Sequence, residues 1–220
     1  MKGKTFSTRE LTTLAMITAI AYILVCTVRI PVVLFLKYEP KDVVITIGGF
    51  LMGPMAAVIT STLVSLLEMF SISDTGIIGC IMNFLSTCTY ACTAALVYRH
   101  RHTLGGAVLG LALGSVAMTV CMLLWNYLIT PLYMVGTSRG DVAGMLIPVF
   151  LPFNLLKAGL NSAITLLLYK PLVSGLRKVG ILSPSRSAAV KASASMGVWI
   201  FAAILLATCI LFVLVLQGVI

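Results

Sequence analysis

The chain is poor in charge. Only 10% of its 220 residues are Asp, Glu, Lys or Arg, and only six of those are acidic. Soluble domains carry about a quarter charged residues, so this length holds no room for a separate soluble domain. Histidine is scarce as well. The two present, His100 and His102, share one basic turn with Arg99 and Arg101 and are read as solvated. No Gly-x-Ser-x-Gly, His-Glu-x-x-His or Walker sequence occurs. The chain thus lacks the usual nucleophile elbow, zinc-protease helix and phosphate cradle. This argues against an enzyme, and any ATP-driven step must come from a partner. Stretches that alternate polar and apolar residues are few, which argues against a transmembrane barrel.

What is abundant is apolar surface. Hydrophobic residues make up 60% of the chain, and the mean hydropathy is +1.12. The expected fold is an all-α integral membrane protein embedded in a lipid bilayer. The net charge of +9 does not form a stripe for nucleic acid. Its basic residues gather at the ends of apolar segments, where they set orientation. The six cysteines, Cys26, Cys80, Cys88, Cys92, Cys121 and Cys209, all lie within apolar segments and read as small packing residues. Cys88 and Cys92 are four apart, which leaves a metal pair conceivable, but no histidine or further cysteine lies near them in sequence. No cofactor is expected.

Residues 11–28 form the first apolar segment, after Lys2, Lys4 and Arg9. The pattern superficially resembles a secretory signal. Arg29 and a polar loop follow with no convincing cleavage site, so the segment is read as a span. Ala15 and Ala19 make a small-xxx-small pair with Thr12 and Thr18 nearby. Such a face either packs within this protein or docks on a separate membrane subunit. The loop 30–42 holds Pro31, Lys37, Tyr38, Glu39, Pro40, Lys41 and Asp42, and is either a solvated connector or a lid. Segment 43–52 is too short for an upright span, which needs about 20 residues. Segments 55–70, 77–98 and 104–129 follow, bearing Glu68, Asn83 and Trp125-Asn126-Tyr127 respectively. A loop at 130–141 with Pro131 leads to the long segment 142–176, where Pro148 and Pro152 are expected to kink or break the helix. Residues 175–195 read as a basic linker, and the uncharged segment 196–216 as an additional transmembrane helix.

The positive-inside rule places the N-terminus in the cytoplasm of a multi-pass protein. Glu39, Asp42, Glu68, Asp74 and Asp141 then fall at the outer side, and only Glu10 inside. Asn154, Lys157 and Asn161 are spaced i, i+3, i+7, so one helix face carries all three. Lipid cannot satisfy these groups, so they should face a partner, the bundle interior or a water-filled cavity. With Glu39, Lys41, Glu68, Asn83 and Asn126 they suggest a small-molecule site near the outer face. Trp125, Tyr127, Phe150 and Phe153 are close enough in sequence to supply aromatic walls. The competing reading of each asparagine is a tie between helices.

Some of these stretches match a known family as a set. The run Leu36-Lys37-Tyr38-Glu39-Pro40-Lys41-Asp42-Val43, followed by Gly48-Gly49-Phe50 and Gly53-Pro54, resembles the first loop and second helix of S components of energy-coupling factor (ECF) vitamin transporters. Asn126-Tyr127 with Thr130-Pro131-Leu132-Tyr133, and Pro152-Phe153-Asn154-x-x-Lys157-x-x-x-Asn161, are similar to the riboflavin-specific members. The resemblance covers about residues 8–182. It implies a six-helix core over residues 1–182 with both ends cytoplasmic, and riboflavin held at the outer face as transported ligand. Glu39, Asn126, Asn154, Lys157 and Asn161 would hydrogen-bond it, and the first loop would close over it. Ala15 and Ala19 would dock on a transmembrane coupling subunit served by two cytoplasmic ATPases. A linker, 183–195, and a further helix, 196–220, depart from the family core. The rival readings are an S component for another vitamin or small metabolite, and a stand-alone membrane protein without ATPase coupling.

Overall fold

In the computed structural model, residues 7–34, 36–73, 75–134, 136–178 and 196–216 are described. The first helix, α1, is Thr8–Thr27. It opens on a capping box, in which the Ser7 hydroxyl accepts from the Glu10 amide and the Glu10 carboxylate accepts from the Ser7 amide. A two-stranded antiparallel hairpin follows, β1 at Ile30–Val33 and β2 at Leu36–Tyr38, with Ile30 opposite Tyr38. Leu34 turns the chain in the left-handed region, φ 50°. Then come α2 (Lys41–Met52), α3 (Pro54–Ser71), α4 (Gly76–His100) and α5 (Leu104–Tyr133). Helix α6 (Arg139–Met145) runs through a five-residue π-helical turn, Leu146–Phe150, into α7 (Leu151–Lys178). Helix α8 is Met196–Leu216.

Among the described residues, six helical stretches are long and apolar enough to cross a membrane: α1, α3, α4, α5, the α6–α7 path and α8. The chain is a multi-pass, all-α membrane protein. The twelve residues of α2 reach only about 18 Å, too little for a bilayer core of roughly 30 Å. The expected span and short-helix order therefore holds, and three local expectations are corrected. The loop 30–42 is not an irregular connector but a hairpin leading into a helix. Pro131 does not sit in a loop, because α5 runs on through it to Tyr133; only one turn follows, so the lost hydrogen bond costs little. At Pro148 the α-helical path is interrupted as expected, by a π turn that opens the backbone where Pro148 has no N–H to give, and Pro152 sits in the first turn of α7. Residues 175–178 continue α7 rather than starting a linker. The expected linker at 183–195 lies outside the described residues.

Small residues set the helix spacing. A Cβ on Gly110 would stand 2.7 Å from the Ala94 carbonyl oxygen, and one on Gly114 2.7 Å from that of Tyr90. Backbone thus meets backbone along α4 and α5, with Ala91, Ala94, Ala95 and Ala107 fully buried. On the other side, α8 packs on α7, where a Cβ on Gly159 would lie 2.9 Å from the Cys209 sulfur. Leu205 and Leu206 of α8 join the apolar cluster that also holds Val32, Leu36 and Tyr38 of the hairpin. The additional helix is therefore packed into the bundle.

A glycine-to-alanine change inside a helix ordinarily gains about 0.5–1 kcal/mol. At Gly110 the sign should reverse, because the new methyl meets a carbonyl that cannot move without shifting the helix. Gly110→Ala should lose about 1–3 kcal/mol and lower the detergent melting temperature. Gly144→Ala, where nothing lies within 4 Å of the added carbon, should not.

Candidate functional site

One cavity of about 270 Å³ opens at the end of the bundle where α1 and α3 finish and α4 begins. Its volume lies near the lower bound of small-molecule sites, roughly 300–1,000 Å³. Glu39, Asn126, Asn154 and Lys157 all line it, together with Arg29, Lys37, Glu68, Asn83, Ser86, Met82, Met122 and Phe153. Segments 39, 126 and 154–157 are far apart in sequence, and the fold brings them to one wall system. The basic turn Arg99–His102 lies at the opposite end of α4.

Three of the four charged residues of the first loop, Glu39, Lys41 and Asp42, are buried. Lys41 is fully buried and Glu39 and Glu68 nearly so. They form a closed ring of alternating sign with Arg29. Arg29 Nε lies 2.8 Å from Glu39 Oε1 and its Nη2 2.9 Å from Glu68 Oε1. Lys41 Nζ lies 2.6 Å from Glu39 Oε2 and 2.5 Å from Glu68 Oε2. Asn83 Nδ2 donates to Glu68 Oε1 at 2.7 Å, and Arg29 Nη1 to the Ile72 carbonyl at 2.9 Å. The ring ties the hairpin and α2 to the end of α3. Burial alone would raise the Glu39 carboxyl, but the Lys41 ammonium, helped by Arg29, outweighs it and holds the group at about 2. Burial pushes the Tyr38 hydroxyl above its ordinary value.

A second buried cluster lies beside the ring. The next residue, Asp42, turns the other way and pairs with Lys157 Nζ at 3.1 Å. Its Oδ2 also accepts from Asn161 Nδ2 at 3.2 Å, and its Oδ1 from Thr87 Oγ1 at 2.6 Å. Lys157 donates to Ser86 Oγ at 3.2 Å, and the Tyr38 hydroxyl to Asn161 Oδ1 at 3.1 Å.

The i, i+3, i+7 face on α7 is thus split. Asn154 and Lys157 reach the cavity, while Asn161, 0% exposed, lies behind it and binds the hairpin through Tyr38. Asn154 Nδ2 donates to the Phe150 carbonyl at 2.7 Å. Asn126 Nδ2 donates to the Met122 carbonyl at 2.7 Å, and its Oδ1 accepts from Thr130 at 3.0 Å. Of the four expected aromatic walls, only Phe153 lines the cavity. Phe150 is buried among hairpin and α8 side chains, Trp125 packs into the α4–α5 core, and Tyr127 is exposed. Sequence reasoning missed Arg29, Asp42, Ser86 and Thr87. Asp42 carried a signal, since a carboxylate beside an apolar run needs a cation, and Lys157 was one waiting for an anion.

Ala15 and Ala19 are exposed on α1, beside exposed Leu11, Met16, Ile20 and Ile23. They do not pack within this protein, which removes one of the two readings of that face. Cys88 and Cys92 lie with their sulfurs 3.5 Å apart, and no group of three metal-ligating side chains forms among the described residues. His100 and His102 are exposed.

Lys41→Met would leave the Glu39 and Glu68 carboxylates with Arg29 as their one shared cation in the ring. Removing one partner of a buried pair costs roughly 3–5 kcal/mol, so the variant should melt well below the parent at pH 7. The pH dependences should differ in sign. In the parent the contribution of Glu39 is complete above its ordinary 4.5 and disappears as pH falls through about 2. In the variant Glu39 keeps only its share of the Arg29 guanidinium, beside a second buried carboxylate, so its protonated form is favoured more than in the parent and stability should rise as the pH is lowered from 7 to 5. A melt series from pH 7 down to about 2 checks both.

Comparison with known proteins agrees with this geometry. The family described as ECF transporter, substrate-specific component, matches residues 9–169. Riboflavin transporter RibU of Staphylococcus aureus (strain TCH60) is 27% identical over 180 residues, 78% of this chain and 94% of that protein. Riboflavin transporter FmnP of Bacillus subtilis (strain 168) is 27% identical over 131 residues, 56% of this chain and 69% of that protein. A solved structure described as the S component of a bacterial ECF transporter superposes with a TM-score of 0.64 at 28% identity, over 77% of this chain and 98% of that one. With its helical order, its buried polar end and this match over most of its length, the chain belongs to the substrate-specific components of ECF transporters, which are transport subunits and not enzymes.

Proposed function

We propose that this chain is the riboflavin-binding S component of an ECF transporter in the cell membrane. The observation that carries the reading is the convergence of Glu39, Asn126, Asn154 and Lys157 on one cavity in a chain whose relatives are named riboflavin transporters. Riboflavin is uncharged, with a flat ring system edged by carbonyls and ring nitrogens and a chain of hydroxyls. Amides that donate and accept, an ammonium and a carboxylate match those edges. Met82, Met122 and Phe153 offer apolar surface to the ring faces. Asn161 acts from behind the wall, through Tyr38 and Asp42.

In this reading the N-terminus is cytoplasmic, the cavity faces outward, and the hairpin is the lid. The exposed Ala15–Ala19 face of α1 docks on a transmembrane coupling subunit, and two cytoplasmic ATPases complete the transporter. Residues 1–182 act as the S-component core, and 196–220 as an addition to it.

Titration of the purified protein with riboflavin, followed by flavin fluorescence, tests the ligand. Saturable one-to-one quenching is expected. A folded sample that leaves the fluorescence unchanged, yet binds another vitamin, moves the assignment within the family. Lys157→Ala should weaken riboflavin binding by about 1–3 kcal/mol; unchanged affinity removes Lys157 from the site. Ala15→Trp with Ala19→Trp should abolish uptake by cells while binding survives, whereas intact uptake would point to a membrane protein that works without the coupling subunit.

A further inference from the structure

The proposed vitamin site explains why Lys157 lies at the cavity. It does not explain what holds it there. A lysine has a long, flexible stem and three N–H donors, and an ammonium left free in a cavity samples several positions. Its nearest anion is Asp42, which is 1% exposed and does not line the cavity. Asp42 belongs to the first turn of α2, where the helix start would itself favour a carboxylate, yet its side chain is spent elsewhere. One oxygen takes Thr87 of α4 at 2.6 Å, and the other takes Lys157 at 3.1 Å and Asn161 at 3.2 Å, both of α7.

We infer that Asp42 is a positioning residue for ligand recognition, acting from outside the cavity by fixing the ammonium of Lys157. This inference rests on the proposed vitamin site. Asp42 engages one ammonium hydrogen and Ser86 Oγ a second, at 3.2 Å. Among the described residues that leaves one donor for the cavity, and its direction is set by the other two. Thr87 and Asn161 hold the carboxylate so that it cannot follow the lysine. The ligand therefore meets a donor already ordered, and pays less entropy on binding than it would to a mobile lysine. Asp42 does not line the cavity, so it must act through its side-chain partners, and of Thr87, Asn161 and Lys157 only Lys157 lines the cavity.

A double-mutant cycle on the full chain tests this, with riboflavin as the probe and fluorescence quenching as the readout. Asp42→Asn keeps the size and the acceptor for Thr87 but removes the charge. Alone, it should weaken binding roughly 5- to 150-fold, the range expected for a coupling of 1–3 kcal/mol. In a Lys157→Met background the same change should weaken binding no further. Loss of equal size in both backgrounds, or wild-type affinity in Asp42→Asn, overturns the inference, because a purely structural carboxylate would act with or without the lysine. Should Asp42→Asn fail to fold, Thr87→Val leaves every charge in place and loosens the carboxylate. Its smaller loss should likewise vanish beside Lys157→Met, and additive losses there overturn the inference equally. Absence of binding by the folded parent overturns the riboflavin reading and this inference together, whereas parent binding with additive variants overturns this inference alone.

Discussion

Six charged side chains in a bundle with so little charge create the constraint on which this structure turns. Arg29, Glu39, Lys41, Asp42, Glu68 and Lys157 are drawn from α1's exit, the hairpin, α2, α3 and α7, and every one is ion-paired. An unpaired ion in such an interior costs several kcal/mol. Each cation therefore dictates where a carboxylate must lie. The arrangement is weak evidence for stability, since well-packed apolar side chains would do as well. What it does is join the hairpin, α2, α3 and α7 at one end of the bundle.

That constraint also explains what the sequence made legible. Composition and apolar run lengths suffice for the helix order, because bilayer thickness ties span length to hydropathy. The face carrying Asn154 and Lys157 is visible for the same reason: polar groups on an apolar helix have few places to go. The hairpin was hidden. Its strands are four and three residues long and joined by Leu34 at positive φ, with none of the Asn-Gly or Asp-Gly chemistry that marks a tight turn. Charges in residues 37–42 look like a solvated loop in one dimension. Only the partners on α3 and α7 show Glu39, Lys41 and Asp42 to be buried. The aromatic walls failed for a related reason, since nearness in sequence to Asn126 and Asn154 says nothing about which side of a helix faces the cavity.

The apolar scaffold frees the polar end to be specific. Helices α4 and α5 approach until glycine meets backbone, which fixes Asn83, Ser86, Thr87 and Asn126 on one rigid pair. Helix α8, beyond the region matched by the family, covers α7 and reaches the hairpin's apolar side. The hairpin is thus seated twice, by side chains of α7 and α8 on one side and by the ionic ring on the other.

Those two seats differ in access to water. In the ring, the Arg29 side chain retains 22% of its exposure, and the cavity opens alongside. In the second cluster Asp42 and Lys157 retain only 1% and 8%. Water can replace a lost partner at Arg29, and a high local dielectric weakens its pairs. Asp42 itself does not line the cavity, so its carboxylate stands further from water than Arg29 does. The adjacent residues Lys41 and Asp42 are thus both buried but belong to different clusters, the first to the ring that meets solvent through Arg29 and the second to the pair behind the cavity wall.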